Sequence, residues 1–390
     1  MFILRKLTKK LIRTVLAVLV CVAVLACLFK SNAEAISSFS LEVPDISAKS
    51  AVLIDASSGN ILCEKNAHSR MAMASTTKIM TALVAVENAE LDKVVSVNPL
   101  AVGVEGSSVY LYAGEKMTLR DLLSAMLLES ANDAAAAIAI EVGGTLEGFC
   151  DMMNAKAESL GLRDTHFTNP HGLYDEEHYT TAYELAKITR AALRNEDIKA
   201  IVSTKKMTIK PLEGNVRVLY NHNKMLSMYE GAIGVKTGFT KKSGRCLVSA
   251  AEREGLTLIA VTINAPDDWN DHKKLLDAGF DNFESVPLTK AGKICYSLGV
   301  MGGDAESVPL VYAETLSVSL KKGAREKLSC VIETYNRYEF APVKTGKKVG
   351  RAVFYLDGKK IAETELVCAT NANRIDVNDG VFDKIKNIFS

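Results

Sequence analysis

The sequence predicts two domains of different class, an α+β domain over residues 36–285 and a smaller all-β domain over residues 286–370. The first is predicted by a helical middle between strand-like segments, which is typical of helices layered on an antiparallel sheet. The second is predicted by short alternating strands with Asp-Gly and other glycine-containing turns, without a helical pattern longer than a turn or two. A chain of 390 residues is also too long for one average domain.

The elements of the first domain are predicted from turn, capping and apolar patterns. The segment "AVLIDASSGNILCEKN" is typical of a hairpin, and the apolar run after Ser75 indicates a buried helix that opens at that serine. Thr118 is predicted to cap a second helix, with Asp121 at the capping-box position. A polar break at 130–133 ends this second helix. The remaining predictions are helices over 134–142 and 180–193 and strands over 231–240, 245–254 and 256–265.

Residues 1–35 have the pattern of a secretory signal peptide. A basic start is followed by the apolar run Val15 to Phe29 and then by Ala33-Glu34-Ala35. This order predicts export with cleavage after residue 35. An uncleaved N-terminal anchor stays open because the apolar run is long, and a lipoprotein signal at Cys27 is a weaker alternative.

The tail over residues 371–390 contains an amphipathic segment. Its apolar side chains fall on one helical face, with Lys384 and Lys386 off that face: Val381, Phe382, Ile385, Ile388 and Phe389. A short helix of this kind can lie in a membrane interface. The segment alone equally permits a terminal helix packed on its own domain.

Charge and cysteine usage exclude several classes of protein. Without residues 1–35 the chain is slightly acidic and has no dominant basic patch, so nucleic acid is not an expected partner. Its six remaining cysteines are scattered without a CxxC pair, which excludes a small disulfide scaffold. Disulfides stay open in an exported chain, and buried free thiols are at least as good an interpretation. The six histidines show no HExxH-like spacing, so no metal site is predicted.

The pattern S-x-x-K occurs three times, as Ser75–Lys78, Ser203–Lys206 and Ser319–Lys322. A serine and a lysine three residues apart on a helix face the same side, so a desolvated lysine can take the serine proton and create a nucleophile. Only Ser75 opens a strongly apolar helix, which draws Lys78 inward. The other two pairs lie in polar stretches that we expect to be solvated. Taken alone, Ser75 is better explained as a helix N-cap.

The pattern S-x-N occurs twice. Ser58-Gly59-Asn60 is explained by the turn of the predicted hairpin. Ser130 and Asn132 instead interrupt two apolar helices, so their polar groups are predicted to be buried and to need partners. They could face the Ser75–Lys78 pair and relay a proton, or simply cap a turn between helices.

The tetrapeptide Val-Lys-Thr-Gly also occurs twice, ending at Gly238 and at Gly346. The first copy lies on a predicted strand, where Lys236 and Thr237 supply a cation and a hydroxyl group and Gly238 lets a substrate backbone approach. Such a strand suits a peptide that binds as an added edge strand, with its terminal carboxylate near Lys236 and Thr237. The second copy lies in a lysine-rich segment of the all-β domain and is predicted to be a surface turn.

The order S-x-x-K, S-x-N, K-T-G resembles the active-serine, penicillin-recognising family, and specifically its serine-type D-alanyl-D-alanine carboxypeptidases. The segments "NPHGLYDEEHYTTAYELAKI", "NHNKML", "GAIGVKTGFT" and "APVKTGKKVGRAVFYLDGKKIAETELV" resemble that family too. The resemblance covers nearly all of the chain after the signal. It implies a β-lactamase/transpeptidase-like catalytic domain followed by a small all-β domain.

The resemblance implies a role for each motif residue. Ser75 would be the nucleophile, Lys78 the general base for acylation, and Ser130 the relay of a proton to the leaving amine. The residues implied to bind substrate are Asn132, Lys236, Thr237, Gly238 and Phe239, with the backbone N–H groups of Ser75 and Phe239 as the oxyanion hole. No cofactor or metal is implied.

The resemblance also implies partners and location. The substrate would be a peptidoglycan stem pentapeptide ending in D-Ala-D-Ala, and β-lactam antibiotics would be acylating inhibitors. The enzyme would act at the outer face of the cytoplasmic membrane or in the cell wall, attached peripherally through its C-terminal helix.

One departure and two rival functions bear on this interpretation. Where some relatives carry an arginine that contacts the substrate carboxylate, this chain has His222, and neutral histidine cannot replace a bidentate guanidinium. His171 and His178 are predicted to be structural.

A β-lactamase shares the three motifs but usually adds a glutamate base that is not found here. A non-catalytic wall-binding module is disfavoured by the intact serine and lysine motifs.

Overall fold

The computed structural model describes residues 41–375, so the predicted signal peptide and the predicted helix of the tail lie outside the described residues. The chain divides into two compact units between Asn282 and Phe283. Between residues 41 and 375, no helix is long and apolar enough to cross a membrane.

The first unit contains a central antiparallel sheet. Its strands are β1 (Ser50–Asp55), β2 (Ile61–Lys65), β3 (Val94–Ser96), β4 (Lys116–Thr118), β5 (Lys206–Ile209), β6 (Arg217–Tyr220), β7 (Ala232–Thr240), β8 (Gly244–Arg253) and β9 (Leu256–Ile263). Five of them form the sheet, in the order β2-β1-β9-β8-β7, so that β7 lies at an edge. The pairs β3–β4 and β5–β6 form separate ribbons. The predicted hairpin and the last three predicted strands are confirmed.

Helices cover both faces of this sheet. They are α1 (Lys78–Asn88), α2 (Leu119–Leu128), α3 (Asn132–Gly143), α4 (Leu146–Ser159), α5 (Ala182–Ala192), α6 (Glu196–Ser203), α7 (Met225–Met228) and α8 (Asp268–Asn282). Val52 and Ile54 share one large apolar core with residues of α1 to α5. Leu53, which points to the opposite face, lies against Gly279 of α8. The α+β prediction is therefore confirmed.

Four of the helices, α4, α6, α7 and α8, are not among the predictions from sequence. Helix α8 shows the reason, because its buried face includes Asp271 and His272 as well as Leu275 and Leu276. The Asp271 carboxylate accepts hydrogen bonds from the backbone N–H groups of residues 47 and 48, which satisfies it in the interior. Polar residues on a buried face hide the apolar repeat that identifies a helix.

In the second unit, described over residues 283–375, the regular structure is β-strand apart from one 3-10 turn, Ala324–Lys327. Its strands are β10 (Phe283–Thr289), β11 (Ile294–Met301), β12 (Ser307–Tyr312), β13 (Leu316–Lys321), β14 (Leu328–Thr334), β15 (Tyr338–Phe340), β16 (Lys348–Leu356) and β17 (Lys359–Cys368). Six of them form a sheet in the order β14-β16-β17-β12-β11-β15, and β10 pairs with β13. Leu298, Val308, Leu310 and Leu366 lie in its apolar core. The prediction of an all-β domain is confirmed.

All six cysteines in the described part of the chain are free thiols. Cys63, Cys150, Cys246 and Cys368 are buried, and burial raises the pKa of the Cys63 thiol to about 12. The structure thus has the buried free thiols that the sequence left as one of two interpretations.

Candidate active site

Ser75 lies in a 3-10 turn, Ala74–Thr77, immediately before α1 begins at Lys78. Side chains three residues apart eclipse each other in a 3-10 turn, which brings the lysine amine over the serine. The Lys78 Nζ donates to the Ser75 Oγ at 3.1 Å. The sequence predicted that the helix begins at Ser75, with a simple helix cap at Ser75 as the alternative. Both predictions are wrong, because the 3-10 turn comes first and α1 begins three residues after Ser75.

The turn that holds Ser75 is clamped between a loop and a strand. Ala74 has a φ of +47°, a left-handed conformation that alanine rarely adopts. A Cβ on Gly172 would lie 1.9 Å from the Ala74 carbonyl oxygen, and a Cβ on Gly238 would lie 3.0 Å from the Ser75 nitrogen. The sequence interpretation assigned Gly238 to substrate approach. In the structure its missing side chain also makes room for the turn that carries Ser75.

Lys78 is fully buried, and its side-chain nitrogen lies within hydrogen-bond distance of three oxygen atoms. Besides Ser75, it donates to the Asn132 Oδ1 at 2.6 Å and to the His171 carbonyl oxygen at 2.6 Å. Burial, and then the nearby Lys236, hold the pKa of Lys78 well below its ordinary value of 10.5, against the opposing charge of Asp133. A lysine in this state can hold a free electron pair beside the serine hydroxyl.

Ser130 lies in the short break between α2 and α3, with a φ of +61°. This backbone conformation places its hydroxyl against strand β7, where the Lys236 Nζ donates to the Ser130 Oγ at 3.0 Å. Lys236 also donates to the Thr237 carbonyl oxygen at 3.0 Å. Burial lowers the pKa of Lys236 from 10.5 to about 7. The second serine therefore has its own buried amine.

Asn132 is the first residue of α3 and links the first serine pair to a neighbouring loop. Its Oδ1 accepts from Lys78, and its Nδ2 donates to the Glu105 carbonyl oxygen at 2.5 Å. A Cβ on Gly106 would lie 2.7 Å from the Asn132 Nδ2, so this loop approaches closely only because residue 106 is glycine. The sequence predicted that the polar groups of residues 130 and 132 would be buried and partnered, and they are.

The other two S-x-x-K pairs are arranged differently. Ser203 ends α6 and donates to backbone carbonyl oxygens of residues 199 and 233. Ser319 is buried on β13, so the expectation that both serines are solvated is wrong. Their lysines, Lys206 and Lys322, are exposed.

The motif residues border a pocket of about 340 Å³. Ser75, Ser130 and Thr237 line it together with Gly238 and Phe239. Strand β7 forms one wall with its free edge, which is open to a further strand. Five other residues line the pocket: Ser107, His222, Arg245, Asp268 and Trp269.

Four of those five residues were missed by the sequence interpretation, which named only His222. Arg245 stands on β8 directly opposite Phe239, and Asp268 and Trp269 begin α8. Arg245 donates through Nη2 to the Asp268 Oδ1 at 2.9 Å. The His222 Nε2 lies 3.1 Å from the Glu129 Oε2. Within residues 41–375, no cluster of three or more His, Cys, Asp and Glu side chains could hold a metal ion.

A family profile described as "D-alanyl-D-alanine carboxypeptidase" matches residues 37–267. The chain belongs to this family. A second profile, described as "Penicillin-binding protein 5, C-terminal domain", matches residues 283–374 of the chain. The resemblance inferred from the three motifs is therefore confirmed, and so is the fold class.

Relatives of this family member cover most of its length. It is 34% identical over 327 residues to D-alanyl-D-alanine carboxypeptidase DacF of Bacillus subtilis, an alignment of 81% of this chain and 84% of the relative. A D-alanyl-D-alanine carboxypeptidase of a Streptomyces species is 35% identical over 61% of this chain and 88% of its own. The crystal structure of penicillin binding protein 5 from Haemophilus influenzae superposes with a TM-score of 0.70 at 31% identity, covering 86% of this chain and 100% of that one.

Proposed function

We propose that this protein removes the terminal D-alanine from peptidoglycan stem pentapeptides through an acyl-enzyme on Ser75. The observation that carries the proposal is the buried Lys78 amine, 3.1 Å from the Ser75 Oγ and depressed in pKa by burial. Burial favours the neutral form of such an amine, and a neutral amine beside a serine can act as the general base that makes the serine a nucleophile.

In acylation, the Ser75 Oγ attacks the carbonyl carbon between the two D-alanine residues while Lys78 takes its proton. The backbone N–H groups of Ser75 and Phe239 stabilise the negative charge that develops on the carbonyl oxygen. The close approach of Gly238 to the Ser75 nitrogen supports this pairing, because it brings strand β7 and the turn together. Water then hydrolyses the acyl-enzyme. Its oxygen adds to the acyl carbon and one of its protons passes to solvent, while the departing Ser75 Oγ takes back the proton held by Lys78.

The departing D-alanine needs a proton on its amine. Ser130 is the donor in our proposal, and Lys236 restores the proton through the 3.0 Å hydrogen bond to the Ser130 Oγ. A pKa near 7 suits this task, since such an amine exchanges protons readily at neutral pH.

The stem peptide binds along the free edge of β7 as an additional strand, with Thr237 near its C-terminal carboxylate. Asn132 holds a substrate amide. Its Oδ1 already accepts from Lys78, so the substrate N–H would use the second lone pair of that oxygen. β-Lactam antibiotics acylate the same serine in this scheme.

The protein is exported, as its cell-wall substrate requires, and we propose that residues 379–390 attach it to the membrane surface. The apolar face of that segment supports this attachment, with Lys384 and Lys386 beside it. Deleting residues 379–390 from the full chain should move the protein from the membrane to the soluble fraction. An unchanged distribution between the two fractions would contradict the attachment.

The decisive experiment is the release of D-alanine from a pentapeptide ending in D-Ala-D-Ala. The wild type should release it and form a covalent adduct with a fluorescent penicillin, whereas Ser75→Ala should do neither. Ser203→Ala, which changes another S-x-x-K serine, is the matched control and should keep both activities. Rapid and sustained penicillin hydrolysis by the wild type would favour a β-lactamase instead, and a folded wild type without label or product would refute the proposal.

A further inference from the structure

A substrate that ends in a free carboxylate calls for a positive charge at the pocket. Four basic side chains lie in or directly behind it: Lys78, Lys236, His222 and Arg245. The sequence interpretation left the question open, since His222 stands where some relatives carry an arginine. The environments of these four side chains differ enough to choose among them.

Three of these four side chains already interact with other groups of the protein. Lys78 and Lys236 are buried and donate to the Oγ atoms of Ser75 and Ser130. Burial lowers the pKa of both amines, that of Lys236 to about 7, and therefore disfavours a positive charge at either position. His222 lies 3.1 Å from the Glu129 carboxylate, which takes up any charge it carries.

Arg245 differs from the others in each respect. Its side chain lines the pocket and is 43% exposed, so the guanidinium is open to a ligand. Guanidinium keeps its charge at every pH of interest and presents planar pairs of N–H donors that match a carboxylate. Across the described part of the chain, its one hydrogen-bond acceptor is the Asp268 Oδ1, which leaves donors free.

Two residues at the start of α8 fix the position of this guanidinium. The Arg245 Nη2 donates to Asp268 at 2.9 Å, and the Asp268 side chain is only 4% exposed. The Arg245 Cζ lies 5.8 Å from the ring centroid of Trp269, within the range of a cation–π contact. Arg245 is thereby preorganised at the pocket before any substrate binds.

We propose that Arg245 binds the C-terminal carboxylate of the substrate and makes the site specific for a free carboxyl end. The inference rests on the proposed function and on the strand register. Arg245 pairs with Phe239, whose N–H is assigned to the attacked carbonyl, and paired residues lie about 5 Å apart. The terminal residue of the peptide extends only ~3.8 Å beyond that carbonyl's own residue, so its carboxylate comes within reach of the arginine. The guanidinium supplied from β8 thus compensates for the histidine at position 222.

The test compares two peptides that differ only at the C-terminus, one ending in D-Ala-D-Ala and the other in its carboxamide. The wild type should prefer the free acid in kcat/KM. Arg245→Gln should reduce the ratio of acid to amide by about 10- to 100-fold, mainly by slowing the reaction of the acid. Arg245→Lys, which keeps the charge but not the planar donors, should give an intermediate ratio.

Arg253→Gln is the matched control, since this arginine lies on the same strand but packs on Tyr229 and Phe280 outside the pocket. It should keep the wild-type ratio. Equal losses for acid and amide in Arg245→Gln would mean a structural role and overturn the inference, and so would an unchanged ratio. If Arg245→Gln does not fold, an Arg245→Lys ratio equal to that of the wild type overturns it. A folded wild type that releases no D-alanine from the acid would refute the proposed function itself, and this inference with it.

Discussion

Lys236 and Ser130 are joined by a hydrogen bond of 3.0 Å between Nζ and Oγ, although they lie 106 residues apart in the chain. The lysine comes from the edge strand β7 and the serine from the break between α2 and α3. Because the amine is buried among protein atoms, its pKa falls to about 7. Its protonation therefore changes in the pH range in which the enzyme is expected to work.

The first prediction concerns the alkaline side of the pH profile. Lys236 carries a proton below about pH 7 and loses it above, so kcat for D-alanine release should fall as the pH rises through that value. Lys236→Arg keeps its charge at all these pH values, so its rate should be about 10- to 100-fold lower at pH 6 but show no decline near pH 7. The measurement is kcat from pH 5 to 10 for both proteins.

The second Val-Lys-Thr-Gly copy supplies the control for this experiment. Lys344 is exposed in the turn between β15 and β16, and the Thr345 nitrogen beside it donates to the Asn371 Oδ1 at 2.8 Å. Lys344→Arg should therefore reproduce the wild-type profile. The same alkaline decline in Lys236→Arg as in the wild type would show that another group causes it.

The second prediction concerns Gly238, which packs against the turn that holds Ser75. A methyl group at this position would lie 3.0 Å from the Ser75 nitrogen and 3.1 Å from the Ala74 Cβ. Gly238→Ala should displace the turn, slow acylation by a fluorescent penicillin about 10- to 100-fold, and lower stability by about 1–3 kcal/mol. Acylation rates and urea denaturation measure the two effects.

Gly299→Ala is the matched control for this prediction. Gly299 also lies within a strand, β11, but a Cβ there would meet its nearest atom at an ordinary distance of 3.8 Å. The substitution should leave both acylation and stability within error of the wild type. Wild-type acylation by Gly238→Ala would show that the turn tolerates the methyl group and that the clamp is not needed.

The part of the site that could be predicted from sequence depends on short spacings. Ser75 and Lys78 are three residues apart, and one turn of helix is enough to bring them together. Ser130 and Asn132 were recognisable as a polar break between apolar helices. Lys236 and Thr237 could be assigned to the same site only from the order of the three motifs. No short spacing in the sequence links their strand to the two serines.

The rest of the site could not be predicted, because pairing in space creates it. Arg245 reaches the pocket only through the register of β7 with β8, in which it opposes Phe239. Asp268 and Trp269 come from α8, a helix that the polar residues on its buried face concealed. The position of Ser75 before α1, rather than at its start, depends on a turn with a positive φ at Ala74 that the sequence does not signal.

The last prediction concerns His178, which supports the Ser75 turn from behind. The Thr168 N–H donates to its Nδ1 at 3.1 Å, so its proton lies on Nε2 and is donated to the Thr77 Oγ1 at 2.8 Å. That hydroxyl in turn donates to the Ala74 carbonyl oxygen at 2.8 Å. The three hydrogen bonds form one directed chain, and it requires a neutral imidazole.

Burial lowers the pKa of His178 from 6.5 to about 4, against the opposing charge of Asp175. Between these values the unfolded chain binds the proton and the folded protein does not, so the stability due to this group is lost as the pH falls from 6.5 towards 4. The contribution is on the order of 3 kcal/mol. His171 and His272, whose pKa values burial lowers to about 3, act in the same direction. His178→Gln should therefore be less stable at pH 7 and lose less stability on acidification than the wild type.

Urea denaturation at pH 7, 5.5 and 4 measures this difference. His68→Gln is the matched control, because His68 is 62% exposed and contacts Glu64 at 3.3 Å and the Tyr183 ring rather than the turn that holds Ser75. Its replacement should change the pH dependence of stability much less than that of His178. Penicillin acylation at pH 7 tests the positioning role separately. It should slow in His178→Gln, since the turn around Ala74 loses a support, while the His68 variant acylates at the wild-type rate. A His178 variant with the wild-type pH slope and the wild-type acylation rate would show that neither stability nor the Ser75 turn depends on this chain of hydrogen bonds.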